Sequence, residues 1–587
     1  MDVSRRDFLA LAAVLGAGVG SGSGLLAASG NPENITASDI MDFKPTGKAT
    51  LLHICDMHAH LRPLYWREPS TLISAKELVG TPGFICGERF SKYYGLNTRL
   101  DRYFDTYVDF EPLARKFGKM GGIAHMKTII DEVRRDRGRD NVLLLDSGDT
   151  WQGTAVALKT GGEAIVKAQN LLGVDVMVPH WEFTYGKERV MELIELFKGE
   201  FISQNVIDND PMSDNFEELI FNPYTIKEVG GAKIGIIGQA FPFSATAHPR
   251  HLTEGWSFGV RTDTLQGYVD ELRSDKKVDC VVVLSHDGFS VDQEVARRVS
   301  GIDFILSGHT HDPAPRPIVV NGTVIVIAGS HGKYIGRLDI DARGGKVHGY
   351  TYKLIPVASN LIKADAATAR FVEDMYAPYK KELDAKLCKT EGLLYKRDTF
   401  HSTFDALIGE SIRNETDADI VFTPGYRWGT TLLPGDDILM DNVYEMSAIT
   451  YPEVYTLDLK GHTILQLLED ISDNVFNPDP MLQQGGDMSR LFNATYDITV
   501  GNGYGKRISN FKIGGKAIDP SKTYAVSTWG GNLQNHPDGA NLREKKRAVY
   551  DIAGDYLRGR SKVSVPMESN VRVTDMGCGC PDLKGKC

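Results

Sequence analysis

Short apolar runs that stop at polar clusters set the pattern of the first half of this chain. Leu51-Leu52-His53-Ile54, Val142 to Leu145, Val174 to Val178, Cys280 to Leu284 and Phe304-Ile305-Leu306 suit strands and are too short for helices. Between them, residues 122–135, 163–172, 187–197 and 291–299 carry helical periodicity. Strand-like runs alternating with helices from Ala49 to about Ile340 predict βα units around parallel sheets. A helical stretch over about 364–387 leads into a second patterned region, 399–573. Helices are expected there at 403–413 and 464–474, and strands at 420–422 and 524–527.

At 587 residues the chain exceeds what one hydrophobic core usually serves, so two domains are expected. We read a first domain over 46–362, a helical linker over 363–395, a second domain over 396–575 and a cysteine-containing tail over 576–587. Residues 61–119 form a polar and aromatic insertion too long for a simple connection, which reads as a cap. Its Tyr65 and Arg67 are candidate substrate-binding residues.

Composition narrows the class. With 42% apolar and 24% charged residues the chain reads as a globular protein, and a net charge of −11 argues against a nucleic-acid partner. Residues 1–30 read as an export signal: Arg5-Arg6-Asp7-Phe8-Leu9 precedes a Gly- and Ala-rich apolar run and resembles a twin-arginine signal. That route carries folded proteins, so a metal could be loaded before export to the periplasm. No other segment suggests a membrane span, and a monomer is expected. Seven cysteines make no disulfide scaffold. Cys55, Cys86, Cys280 and Cys388 read as packed residues, and Cys578, Cys580 and Cys587 as a tail with a disulfide or an adventitious metal site, or with a redox or partner-binding role.

The chemistry sits where the apolar runs end. Asp56-Met57-His58-Ala59-His60, Asp146-Ser147-Gly148-Asp149, His180-Trp181-Glu182, Ser285-His286-Asp287 and Gly308-His309-Thr310-His311 each follow one of the five runs. Loops beyond strand ends are where open α/β sheets collect their ligands, and five such clusters predict a two-metal hydrolytic centre. Asp149 is the natural bridging carboxylate, because two cations about 3.5–4 Å apart need a shared anion. Asp56, His58 and His311 would complete one shell; His180, His286 and His309 would complete the other. Mixed carboxylate and imidazole donors suit two divalent ions, manganese foremost, with zinc and iron as alternatives.

These clusters resemble those of the calcineurin-like metallophosphoesterases, and the layout from Ala49 to Val573 is similar to the periplasmic 5'-nucleotidase group. The resemblance implies an α/β (α+β) fold: a four-layer sandwich domain joined by a helix to a 5'-nucleotidase-type C-terminal domain. Nucleotidases of that group read Gly-Asn-His-Glu-Phe-Asp at the third cluster, where Asn is a metal ligand and His with Asp forms a catalytic dyad. This chain reads Pro179-His180-Trp181-Glu182-Phe183-Thr184. His180 takes the ligand's place, and Trp181 and Thr184 replace the dyad. A phosphomonoester expels an oxygen that needs a proton or charge stabilisation, whereas thiols titrate near about 8.5 and sulfur leaves as an anion.

The altered motif therefore points to a sulfur leaving group and resembles the thiosulfohydrolase family of the bacterial Sox sulfur-oxidation system. Further matches to that family are His58-Ala59-His60-Leu61-Arg62-Pro63-Leu64-Tyr65-Trp66-Arg67-Glu68-Pro69 and Arg427-Trp428-Gly429, with His60 a departure from the Gln expected there. The resemblance implies that a metal-bridging hydroxide hydrolyses a cysteine S-thiosulfonate on the carrier SoxYZ, releasing sulfate and leaving a persulfide. Asp149, His180 and Arg427 are then the candidate catalytic residues, with Arg427 orienting the sulfonate and Trp181 and Trp428 walling the channel for the carrier arm. A periplasmic 5'-nucleotidase or cyclic phosphodiesterase is the alternative activity. A metal-binding carrier-recognition protein without turnover is the alternative from another class.

Overall fold

Period-two alternation assigns the residues of the central strands to two different cores. In Ala49–Ile54, Ala49 and Leu51 face one apolar cluster while Leu52 and Ile54 face another. In Cys280–Ser285, Val282 and Leu284 join the same inner cluster, and Val281 and Val283 pack outward. The structure, a computed structural model, describes residues 35–75, 78–531 and 533–575. The export signal with Arg5 and Arg6, and the tail with Cys578, Cys580 and Cys587, lie outside the described residues.

Two six-stranded sheets form the first domain. One runs in the order Lys346–Pro356, Tyr334–Arg343, Ala49–Ile54, Val142–Asp146, Val176–Met177, Glu200–Phe201. The other runs Ile318–Val320, Thr323–Ile327, Phe304–Ser307, Cys280–Ser285, Ala232–Gln239, Tyr224–Val229. The inner cluster draws on both sheets. Helices Ile123–Arg137, Glu163–Leu172 and Lys187–Leu196 cover the outside of the first sheet, and Thr262–Ser274 and Phe289–Arg298 the outside of the second. This is the expected four-layer α/β sandwich. Parallel pairing sets the strand ends level: Ile54 opposite Asp146 and Asp146 opposite Met177 in one sheet, Gln239 opposite Ser285 and Ser285 opposite Ser307 in the other. The polar clusters that follow must therefore meet at one edge of the sandwich.

The linker is less helical than expected. Helix Ala366–Tyr376 ends where Pro378 enters a 3-10 turn, a short turn of helix covers Lys380–Leu383, and Lys386–Thr390 is a strand. That strand pairs with Asp437–Leu439 and Lys562–Val563, so it already belongs to the second domain. The second domain is built on a five-stranded sheet, ordered Arg490–Phe492, Ile420–Thr423, Thr523–Trp529, Glu453–Lys460, Ala540–Ala548, with helices Thr403–Glu415 and Gly461–Phe476 beside it. One apolar cluster runs from Leu52 and Trp151 of the first domain through Val372 to Phe404 and Trp529 of the second.

The insertion carries helices Gly87–Tyr94, Arg99–Asp105 and Phe110–Phe117. Its first part also laces the domains together: Thr431 N–H donates to the Tyr65 carbonyl at 2.8 Å, and Thr399 N–H to the Thr71 carbonyl at 2.9 Å. Cys55, Cys280 and Cys388 are buried free thiols, whereas Cys86 is disulfide-bonded rather than a simple packed residue. Among the described residues no helix is long and apolar enough to cross a membrane.

Candidate metal centre

The strand-end loops turn back sharply, and the turns fall on the ligands themselves. Asp56, His58, Asp149, His309 and His311 all have positive φ, from 43° to 68°. Each such non-glycine conformation costs on the order of 1–3 kcal/mol, so the surrounding hydrogen bonds must enforce it. Gly148 is needed where it stands: at φ 89° a Cβ would come within 2.5 Å of the Val178 carbonyl oxygen.

Two donor groups result, Asp149 with His180, His286 and His309, and Asp56 with His58, Asp149 and His311; the ligand atoms of each lie within 4.8 Å of one another. Asp149 belongs to both. Its Oδ1 is 3.0 Å from His180 Nδ1, and its Oδ2 is 3.0 Å from His286 Nε2 and 3.6 Å from His58 Nε2. His311 Nε2 lies 3.2 Å from Asp56 Oδ1. All seven predicted ligands are buried and brought together.

The electrostatics favour cations. Burial pushes His58 down to about 4 and His180 down to about 3, so both rings are neutral donors. Their nitrogens are nevertheless crowded: His58 Nε2 faces His311 Nε2 at 3.1 Å, while Nδ1 of each has no hydrogen-bond partner among the described residues. Lone pairs and carboxylates converging on one point need positive charge between them, which fits divalent ions. Without ions, protons fill the role. Burial raises Asp56 to about 7, and His286, although buried, is lifted to about 10 by Asp149 and Asp56. Burial opposes ionisation of Asp149 too, yet the adjacent His180 and His286 hold it well below the usual carboxylate range.

Partners behind the ligands set the ring tautomers. His286 Nδ1 bonds the Ser147 carbonyl, turning Nε2 toward Asp149. His309 Nε2 meets the Gln484 carbonyl of the second domain at 3.0 Å, leaving Nδ1 for an ion. The loops are pinned by Glu182, whose buried carboxylate accepts backbone N–H bonds from His180 at 2.8 Å, Asp149 at 3.3 Å, Thr150 at 2.7 Å and Trp151 at 3.2 Å.

The second domain closes the site. Arg427 Nη2 donates to the His309 carbonyl at 2.5 Å and lies 3.3 Å from His309 Nε2, and Nη1 donates to the Thr310 carbonyl at 3.3 Å. Trp428 stacks over His58 with ring centroids 5.3 Å apart. Trp181 meets Trp428 edge-on at 5.2 Å and Tyr426 at 5.3 Å, and its backbone N–H donates to Asp149 Oδ1 at 2.8 Å. Thr184 Oγ1 lies 3.0 Å from Thr450 Oγ1.

Tyr65 and Arg67 are placed differently from expectation. Arg67 pairs with Asp398 at 3.5 Å and lies over the Tyr395 ring at 4.3 Å, and Tyr65 faces Lys119. The structure gives them contacts at the domain junction rather than at the ligands. Their neighbour Trp66 comes nearer, stacked on His331 at 3.7 Å.

Two histidines escaped the sequence reading. His331 follows a sixth apolar run, Thr323–Ile327, in Gly329-Ser330-His331, the same signal as the other five. His248 sits in a loop with no such signal, its ring 4.7 Å from Trp181 and 5.7 Å from His180. Glu182 lay inside a recognised cluster without an assigned role.

Residues 388–543 match the model of the 5'-nucleotidase C-terminal domain family. The trifunctional nucleotide phosphoesterase YfkN of Bacillus subtilis is 26% identical over 477 residues, 72% of this chain, which spans only 31% of that protein's length. A solved 5'-nucleotidase precursor of Thermus thermophilus shares the fold, with TM-score 0.71, 21% identity and coverage of 90% and 99% of the two chains. The solved sulfate thiohydrolase SoxB of Thermus thermophilus, in complex with glycerol, is 39% identical, with TM-score 0.87 and coverage of 92% of this chain and 98% of that one. With that identity over nearly a whole relative, and with the two-metal donor set in place, the chain belongs to the 5'-nucleotidase family of metallophosphoesterases.

Proposed function

We propose that this protein is a thiosulfohydrolase that cleaves the terminal sulfonate from a cysteine S-thiosulfonate on the carrier SoxYZ. The balanced reaction is R–S–S–SO3⁻ + H2O → R–S–S⁻ + SO4²⁻ + 2H⁺, with R–S the carrier cysteine and its sulfur. The observation that carries this reading is the side of the centre occupied by Trp181 and Thr184. There an oxygen leaving group would need a proton donor, and the chain offers an indole packed against Trp428 and a hydroxyl engaged with Thr450. His248 stands nearby, but burial pushes it down to about 4, so it is neutral and holds no acidic proton near pH 7. A persulfide leaves as an anion and needs none.

Bound divalent ions would supply the charge that polarises the sulfonate and acidifies water toward neutral pKa. The chain's residues do the rest. Asp149 offsets the repulsion between the two shells. Arg427 makes no ion pair within 4 Å of a carboxylate among the described residues, and carbonyls hold only part of its donor fork, so it can pair with sulfonate oxygens. Trp181, Trp428 and Tyr426 wall the approach for a carrier arm. Manganese is the proposed metal, loaded before twin-arginine export of a monomer to the periplasm.

The reading is tested by incubating manganese-loaded protein with carrier bearing the thiosulfonate. Mass spectrometry should find the carrier cysteine as a persulfide with one sulfate released per site, lost on chelation. An unchanged carrier in the presence of full metal occupancy would overturn it.

A further inference from the structure

We propose that His331 is a positioning residue that latches the Arg427-Trp428-Gly429 loop of the second domain onto the metal platform of the first and thereby sets where Arg427 meets its anionic substrate. His331 touches both sides at once. Its backbone N–H donates to the carbonyl of Asp56, a metal ligand, at 2.8 Å. Its ring Nε2 accepts from Gly429 N–H at 3.3 Å. Nδ1 lies 2.7 Å from Ser330 Oγ; with Nδ1 as donor there, Nε2 is left as the acceptor Gly429 requires.

The ring is held on its other faces as well. It stacks on Trp66 at 3.7 Å, meets His60 edge-on at 4.8 Å, and lies 5.8 Å from each of His58 and His311. His331 is fully buried and adopts φ 57°, a conformation tolerated better by His, Asn and Asp than by most residues. Gly429 sits in close packing, where a Cβ would stand 2.4 Å from Met446 Sδ and 3.2 Å from Lys396 Cβ. Losing the His331 acceptor would remove this bond to the loop that carries Arg427 without removing any predicted metal ligand. Arg427 would keep its bonds to the His309 and Thr310 carbonyls.

This inference rests on the reading of Arg427 as the sulfonate-orienting group, and its test separates the two. The variants are His331→Phe, which retains a ring for Trp66 but has no acceptor, and His331→Gln, whose amide oxygen has about the reach of Nε2. Both are prepared as manganese-loaded full-length protein and checked for two metals per chain. Hydrogen–deuterium exchange reads the latch without any substrate: the Gly429 amide should exchange at least tenfold faster in His331→Phe, with Gln restoring most of the protection. Turnover reads the positioning role, using carrier thiosulfonate and 5'-AMP as the two probes. His331→Phe should raise KM about tenfold for the probe that is hydrolysed with a smaller change in kcat, and in an Arg427→Ala background it should add little further loss. Hydrolysis of 5'-AMP alone would overturn the thiosulfonate reading and leave the latch standing on the exchange and the non-additive loss. Unchanged Gly429 exchange, or a full multiplicative loss on top of Arg427→Ala, would overturn the latch whichever probe is used.

Discussion

Asp149 Oδ2 lies 3.0 Å from His286 Nε2 and 3.6 Å from His58 Nε2, so one carboxylate serves both donor groups. Asp149→Ala should therefore lower metal content to one ion per chain or fewer while the sandwich still folds, as read by elemental analysis and circular dichroism. Two retained ions would contradict the bridging role. The protons that stand in for metal set a pH dependence. With Asp56 at about 7 and His286 at about 10, both are protonated below pH 7 and must lose their protons as metal binds, while between pH 7 and 10 only His286 must. Metal affinity should rise with pH, steeply below 7 and more gently above, and uptake in weakly buffered solution should acidify it. Affinity flat from pH 6 to 9 would contradict this. The ligands were legible in the sequence because Asp and His side chains name themselves at strand ends. The Gln484 carbonyl on His309 was not, since a backbone acceptor carries no residue identity. The partner of Arg67 was not legible for a related reason: a residue type does not distinguish an open pocket from an ion pair with Asp398.

The turn Trp181–Tyr185 follows His180 and carries Trp181 and Thr184, the two positions on which the proposed leaving-group preference rests. Trp181→His with Thr184→Asp should raise phosphomonoester hydrolysis from near background, because a proton donor and its orienting carboxylate return beside Asp149. Sulfate release should fall at least tenfold. Trp181 is only 8% exposed and packs on four rings, so replacing it should cost stability, up to the about 3–5 kcal/mol of a full Trp→Ala truncation, and melting and metal content frame the comparison. A folded, loaded double variant with unchanged sulfate release would show that this turn does not choose the leaving group. At this scale the sequence was largely readable: Glu163–Leu172 has the expected bounds, and Ile123–Arg137 and Lys187–Leu196 differ by a residue or two. The linker misled because its helical periodicity runs past Pro378, whose ring ends the regular helix, into a segment that sheet pairing claims as a strand.

At the level of the whole molecule, the first domain supplies the metal ligands and Trp181, and the second brings Arg427, Trp428 and Tyr426 against them. Arg397 forks onto Asp312 with two 3.0 Å bonds, Gln152 reaches the Ala448 carbonyl at 2.7 Å, and a shared apolar core joins the halves. The division into two patterned regions was visible in the chain, but their docking was not, because it depends on backbone carbonyls and on aromatic contacts between Trp181 and the segment 426–428. The central claim, that this arrangement selects a sulfur leaving group, is tested most directly by kcat/KM measured on one manganese-loaded sample for carrier thiosulfonate and for 5'-AMP. Sulfate release should be favoured over phosphate release by at least a thousandfold, about 4 kcal/mol of difference in transition-state stabilisation. Equal or greater efficiency on 5'-AMP would contradict it.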